Sequence, residues 1–128
     1  MTDFNSTHNR VVWCDVPVAD LDRACKFYAA VLAIKVHREE FGGKPFGVLD
    51  HHDGNAGCLI PDAGAIAQNG GLLVYFNTDG RIRDAVRQAA SLGAEILEPV
   101  HMIGPHGFRA LSRDSEGNRI ALHSRTDA

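Results

Sequence analysis

From Arg10 to Val18 the chain alternates, with Val12, Cys14, Val16 and Val18 on one side and Trp13, Asp15 and Pro17 on the other. This two-residue period predicts a strand buried on one face. The period changes at Asp20. Leu21, Ala24, Cys25, Tyr28, Val31 and Leu32 recur at helical spacing as a single apolar stripe, with Asp20 placed as the cap and Asp22 in the first turn. Shorter strand-like runs follow at Ile34 to Glu39, Pro45 to Leu49 and Ala56 to Ile60, with Gly42-Gly43 and Asp53-Gly54-Asn55 as the turns between them. Met1 to Asn9 is polar and aperiodic and predicts a loose arm.

Pro61 to Gly71, rich in Gly, Ala and Pro, reads as a linker, and beyond it the pattern restarts. Gly71 to Thr78 is strand-like. A helix is predicted from about Asp79, with Ile82, Ala85, Val86, Ala89 and Ala90 on one face and Gly93 as the residue that ends it. Runs at Glu95 to His101, Gly107 to Arg113 and Arg119 to Ser124 complete the second half. The halves share the order strand, helix, strand, strand, strand. The Asp53-Gly54-Asn55 turn aligns with Glu116-Gly117-Asn118, and the same offset pairs Cys58 with Ala121. This is an internal repeat. It predicts an α+β fold of two tandem βαβββ modules, at about 10–60 and 71–124, joined by a linker at about 61–70 in one domain spanning 1–128. One such module covers a single sheet face; two side by side close a core and leave a concave sheet face for a ligand.

Composition narrows the class. A hydrophobic fraction of 45% and a charged fraction of 23% over 128 residues are globular values that exclude disorder. The net charge of −3 comes with no Lys/Arg block, so nucleic acid is not an expected partner. The longest apolar run, Phe27 to Ile34, is far short of the ~20 residues of a membrane span. The polar N-terminus carries no signal-peptide pattern. Three cysteines, Cys14, Cys25 and Cys58, without close spacing fit a reducing compartment, and the expected location is cytoplasmic. Cys14 and Cys25 fall on apolar faces and read as small core residues.

Three segments together resemble one family. Val16-Pro17-Val18-Ala19-Asp20-Leu21-Asp22-Arg23-Ala24, followed by Phe27-Tyr28, is similar to the opening of the vicinal oxygen chelate superfamily. That group includes glyoxalase I, bleomycin- and fosfomycin-resistance proteins and extradiol dioxygenases. Asp114 to Ser124 resembles its closing turn and strand, and Leu73-Val74-Tyr75-Phe76-Asn77 the strand opening its second module. The resemblance covers about Arg10 to Ser124. It implies a U-shaped mixed sheet around a pocket, and often a homodimer.

Metal-dependent members hold their ion with side chains from each module's first and last strands. Counted from the matching segments, those positions here are Trp13 and Leu73, Cys58 and Ala121. Indole, isobutyl and methyl groups do not ligate a divalent ion, and one thiol does not hold it alone. No metal and no cofactor is therefore expected. On the last strand His123 shares the face of Ala121, and on the first Asp15 shares the face of Trp13, so the resemblance implies that both line the pocket. Asp15 and His123 are the candidate acid–base pair; the plainer readings are a turn or Arg partner for Asp15 and a hydrogen-bonded core or interface histidine for His123. Trp13, Cys58, Tyr75, Arg109 and His101 are the candidate ligand-binding residues, Arg109 facing either an anionic group or Asp15. His101 and His106 flank the loop Ile103-Gly104-Pro105 and are candidates for the pocket rim or for simple exposure. His8, His37 and the His51-His52 pair read as solvated.

Three functions remain open. One is a small-molecule binding protein with a metal-free pocket, as in bleomycin-resistance members that sequester an aromatic compound at a dimer cleft. The second is a metal-dependent lyase or isomerase of the glyoxalase type. The third is metal-free acid–base catalysis by Asp15 and His123.

Overall fold

The first module runs β1 (Asp15–Val18), α1 (Leu21–Leu32), β2 (Val36–Phe41), β3 (Lys44–Leu49) and β4 (Cys58–Pro61). The second runs β5 (Val74–Asn77), α2 (Ile82–Ser91), β6 (Ile96–Met102), β7 (Phe108–Arg113) and β8 (Arg119–Ser124). The computed structural model describes residues 9–128, so the expected arm, His8 included, lies outside the described residues apart from Asn9. Each module builds a four-stranded mixed sheet, in the orders β1-β4-β3-β2 and β5-β8-β7-β6. The first strand lies parallel to the last and the other pairs are antiparallel. The ladders carry the repeat at residue level: Asp15 pairs with Cys58, and Tyr75 with Ala121.

Local chemistry sets the boundaries. Gly42 and Gly43 both have positive φ, 60° and 77°, and so turn the β2–β3 hairpin in the twist that the strands need. Asp20 caps α1 in an extended conformation, its Oδ1 accepting from the Arg23 N–H at 3.1 Å. β1 is shorter than the alternating run Arg10 to Val18 predicts, because ladder partners begin only at Asp15. Pro99, which has no N–H, sits in the edge strand β6 where the register with β7 shifts.

The expectation that Asp79 opens α2 is corrected. The cap position is Arg81, and the Asp79 carboxylate instead accepts from the Arg125 backbone N–H at 2.7 Å and from its guanidinium at 2.6 and 3.0 Å. Those bonds hold Asp79 at a pKa of about 2. The Arg81 side chain bridges the helices by donating to the Val31 carbonyl at 2.6 Å, near the C-terminal end of α1. Gly93, at φ 89°, follows the α2 cap Leu92 as predicted.

The helix-facing sides of both sheets and both helices share one core. Val18, Phe27, Tyr28, Val31 and Leu59 of the first module pack with Phe76, Ile82, Ala85, Ala89 and Leu122 of the second. Cys25 is buried within it and Cys14 packs against it. Among the described residues no helix is long and apolar enough to cross a membrane.

A polar joint locks the modules together at the β7–β8 turn. Asp114 accepts from the backbone N–H groups of Glu116 and Asn118, which shapes the turn, and from the buried Tyr28 hydroxyl at 2.7 Å. Burial, reinforced by the Asp114 charge, drives the Tyr28 pKa well above its ordinary value, so the phenol stays a donor. Glu116 reaches to the start of α1, where it accepts from the N–H groups of Ala19 and Asp20 at 2.9 and 2.7 Å and from Arg23 at 2.8 and 2.9 Å. Asn118 donates to the Pro17 carbonyl at 2.8 Å. Burial alone would raise the Glu116 pKa, but the bonds from Arg23, Asp20, Ser115 and Ala19 outweigh it and hold the carboxyl at about 2. A carboxylate at a helix start also meets the positive end of the helix dipole.

Because the Glu116 carboxyl titrates lower in the folded chain than its ordinary 4.5, its contribution is complete above pH 4.5 and is lost as pH falls through about 2. Glu116→Gln is expected to cost about 1–3 kcal/mol at neutral pH and to flatten the loss of stability across that acid window. Urea melts of both proteins from neutral pH down to the acid limit measure this; equal midpoints and equal acid slopes would contradict it.

Candidate functional site

Among the described residues the seam between the sheets is closed at one end only. Asn118 ties the C-terminal end of β1 to the turn that leads into β8. At the other end, where the chain enters β1 and leaves β5, a cleft of about 1350 Å³ opens, lined by Trp13, Ile34, His51, Leu72, Val74 and Tyr75 among others. The Asp53-Gly54-Asn55 turn is the sequence counterpart of the docked turn, yet Gly54 and Asn55 line this cleft, and Asn55 donates to the Val11 carbonyl instead. No ladder joins β1 to β5 among the described residues.

On the first module the ladder sets Asp15 beside Cys58. The Trp13 indole donates to the Cys58 sulfur at 3.3 Å, and the thiol donates to Asp15 Oδ1 at 3.2 Å. Burial, aided by the Asp15 bond and against the Trp13 one, pushes Cys58 up to about 12. The thiol is therefore protonated at physiological pH and is a poor nucleophile or metal ligand. Trp13 also meets His51 edge-on, with ring centroids 5.8 Å apart. Beside Cys58, an apolar pocket of about 430 Å³ is formed by Phe41, Phe46, Ile60, Pro61 and their neighbours.

On the second module Tyr75 is half exposed while its neighbour Phe76 is core, as their alternation predicts. Arg109 donates to the Tyr75 hydroxyl at 2.7 Å and lies 3.4 Å from His101 Nε2. Glu98 is 3.6 Å from His101 and 4.0 Å from Arg109. Arg109 does not meet Asp15, which is bonded to Cys58; the carboxylate beside it is Glu98, a neighbour that the sequence does not point to. His123 shares the open face with Ala121 and Arg109 by register, and its Nε2 lies 2.7 Å from the His106 carbonyl.

The candidate residues thus fall into two groups, Trp13, Asp15 and Cys58 on one sheet, and Tyr75, Arg109, His101 and His123 on the other. Of these, Trp13 and Tyr75 line the cleft, whereas Asp15, Cys58, Arg109, His101 and His123 are not among its lining residues. Asp15 and His123 are not partnered: each is bonded within its own module. The positions from which the resembling family ligates metal are filled by Trp13, Leu73, Ala121 and a protonated Cys58, a set that does not fit a divalent ion. Among the described residues no three His, Cys, Asp or Glu side chains converge as ligands.

The sequence pattern missed the rim on the first module. His37 and His52, read as solvated, flank Asp50 at 2.9 and 3.3 Å. The His37 bond holds the Asp50 carboxyl below its ordinary value. These residues and His51 line the cleft. The one available signal was their position beside the Asp-Gly-Asn turn, the counterpart of a turn that docks between modules.

If the Cys58 thiol is as strongly protonated as its surroundings dictate, iodoacetamide at pH 8.5 should leave it unmodified in the folded protein and alkylate it after denaturation. Peptide mass spectrometry reads both states, and rapid native labelling of Cys58 would refute the assignment.

A family model for the Glyoxalase/Bleomycin resistance protein/Dioxygenase superfamily matches residues 10–122. A glyoxylase-like domain-containing protein of Didymella fabae is 26% identical over 125 residues, covering 92% of this chain and 95% of its own. Among solved structures, a glyoxalase/bleomycin resistance protein/dioxygenase family enzyme from Burkholderia phytofirmans superposes with a TM-score of 0.69 at 16% identity, covering 88% of this chain and 95% of that one. A genomically encoded fosfomycin resistance protein from Listeria monocytogenes gives 0.68 at 12% identity, with 92% and 94% covered. At these identities the two structures speak for the fold alone.

Proposed function

Because the chain belongs to the Glyoxalase/Bleomycin resistance protein/Dioxygenase superfamily yet carries Trp13, Leu73 and Ala121 at three of the four positions used for metal, we propose that it binds a small, partly aromatic or apolar molecule without a metal ion. The site is the cleft between the modules. The observation that carries this reading is the substitution of an aromatic wall for a ligand set: Trp13 and Tyr75 stand on the two rims, and Trp13 is itself anchored by the Cys58 thiol. Such a mixture, with apolar walls and a few fixed polar groups, suits a small organic molecule.

The acid–base alternative needs Asp15 and His123 to act on one substrate. Their bonds within separate modules weigh against a shared proton relay. Asp15→Asn and His123→Ala are expected to change stability more than ligand affinity. Loss of a measured turnover in both, with melting temperature unchanged, would favour the enzyme.

The test is a thermal-shift screen of small aromatic compounds with Trp13 emission as the second readout, Trp13 being the single tryptophan. A ligand present at 100 times its Kd stabilises by about 2.7 kcal/mol. Zinc, nickel and manganese are expected to leave the melting temperature unchanged, and methylglyoxal–glutathione turnover to stay at background. One tightly held ion per chain, released by a chelator, would overturn the reading.

A homodimer is part of the proposal. The edges of both sheets and the exposed Phe41, next to the apolar pocket on the β2–β4 side, are surfaces that a second copy would cover. Sedimentation at micromolar concentration should give twice 13.9 kDa; a monomer counts against it.

A further inference from the structure

We infer that the ligand of the cleft carries a carboxylate, or an equivalent oxyanion, on its apolar body, and that Tyr75, which lines the cleft and is backed by Arg109, receives it. The inference rests on the reading of the cleft as a small-molecule site and adds the chemical class.

The Tyr75 oxygen has a proton to give. It accepts from Arg109 Nη1 at 2.7 Å, so its own proton must point elsewhere. Among the described residues no acceptor takes that proton, and Tyr75 is 47% exposed on the cleft wall. The phenol is therefore a donor held ready for an oxygen from outside.

Arg109 is fixed in place. Its guanidinium lies over the Tyr75 ring, 6.0 Å from the centroid. His101 Nδ1 faces the Pro99 carbonyl at 2.8 Å and so carries the ring proton. Its Nε2 is then the bare nitrogen, which accepts from Arg109 at 3.4 Å.

The guanidinium charge is poorly matched. Glu98 is the carboxylate beside it, at 4.0 Å, and is shared with His101. An Arg with one short hydrogen bond to a neutral phenol and its counter-charge 4.0 Å away has capacity left to favour an anion nearby. The two carboxylates that line the cleft, Asp50 and Asp79, are balanced by the lining cations Lys35 and Arg81, and Asp79 is paired with Arg125. A carboxylate accepting the Tyr75 proton would be favoured by the Arg109 charge behind that hydroxyl, whereas an ammonium would be repelled by it.

Three probes with one body separate the possibilities: cyclohexanecarboxylate, cyclohexanemethanol and cyclohexylmethylamine. None absorbs where Trp13 is excited, so Trp13 emission at millimolar probe reads occupancy directly. The carboxylate is expected to bind about tenfold tighter than the alcohol, with the amine weakest. Tyr75→Phe and Arg109→Gln should each bring the carboxylate down to the alcohol's affinity while moving the alcohol itself by less than about threefold. Should Arg109→Gln fail to fold, Tyr75→Phe decides alone, since phenyl keeps the ring packing. Equal binding of all three probes, or an undiminished carboxylate preference in Tyr75→Phe, overturns the anion assignment and leaves the small-molecule site standing. No response of Trp13 to any probe overturns both.

Discussion

The carboxylate of Glu116 fixes how the two modules meet. It receives two backbone N–H groups ahead of α1 and both arms of Arg23, while the turn that carries it is held by Asp114 against the buried Tyr28 hydroxyl. Each βαβββ unit can fold its own hairpins, but neither helix alone covers enough apolar surface to stand by itself. The shared core supplies the bulk of the free energy without direction; Glu116, Asp114 and Asn118 supply the direction. Buried polar joints of this kind tolerate few alternative alignments, because any slip leaves charged or hydrogen-bonding groups unmatched.

That joint has no twin. Had the Asp53-Gly54-Asn55 turn docked at α2 as its counterpart docks at α1, the seam would be closed at both ends. Instead Arg81 occupies the cap position of α2 and bonds back to α1, Arg125 takes Asp79, and Gly54 and Asn55 line the rim of an open cleft. The departure from internal symmetry thus leaves the cleft open. It also decides what lines the cleft, since the rims are Trp13 and Tyr75, one from each half of the repeat.

Much of the scaffold was legible in the sequence because it depends on local periods. The apolar stripe of α1, the alternation that sends Tyr75 outward and Phe76 inward, and the offset pairing Cys58 with Ala121 all read directly from residue spacing, and the ladders carry the same register. The face of Asp15, Trp13 and Cys58 was legible for the same reason. Their bonding to one another was not, since a period gives a direction and no partner. Asp79 shows the limit most plainly: an Asp ahead of a helix has the look of a cap, and only the fold brings Arg125 to claim it. Glu116 read as an ordinary turn residue because everything it binds lies in the opposite module. His51, on its loop, meets Trp13 through a path that no period describes.

The account stands on the docked turn, and amide hydrogen exchange at Ala19 and Asp20 addresses it most directly. Both residues precede α1 and lie outside any helix or strand ladder, yet both N–H groups are bonded to Glu116. If the turn holds the modules as described, these two amides exchange as slowly as those of the central strands, near the limit set by global unfolding. Exchange at the rate of an open loop, with the core still protected, would mean that the modules are not joined through Glu116 and that the cleft is not the fixed site described here.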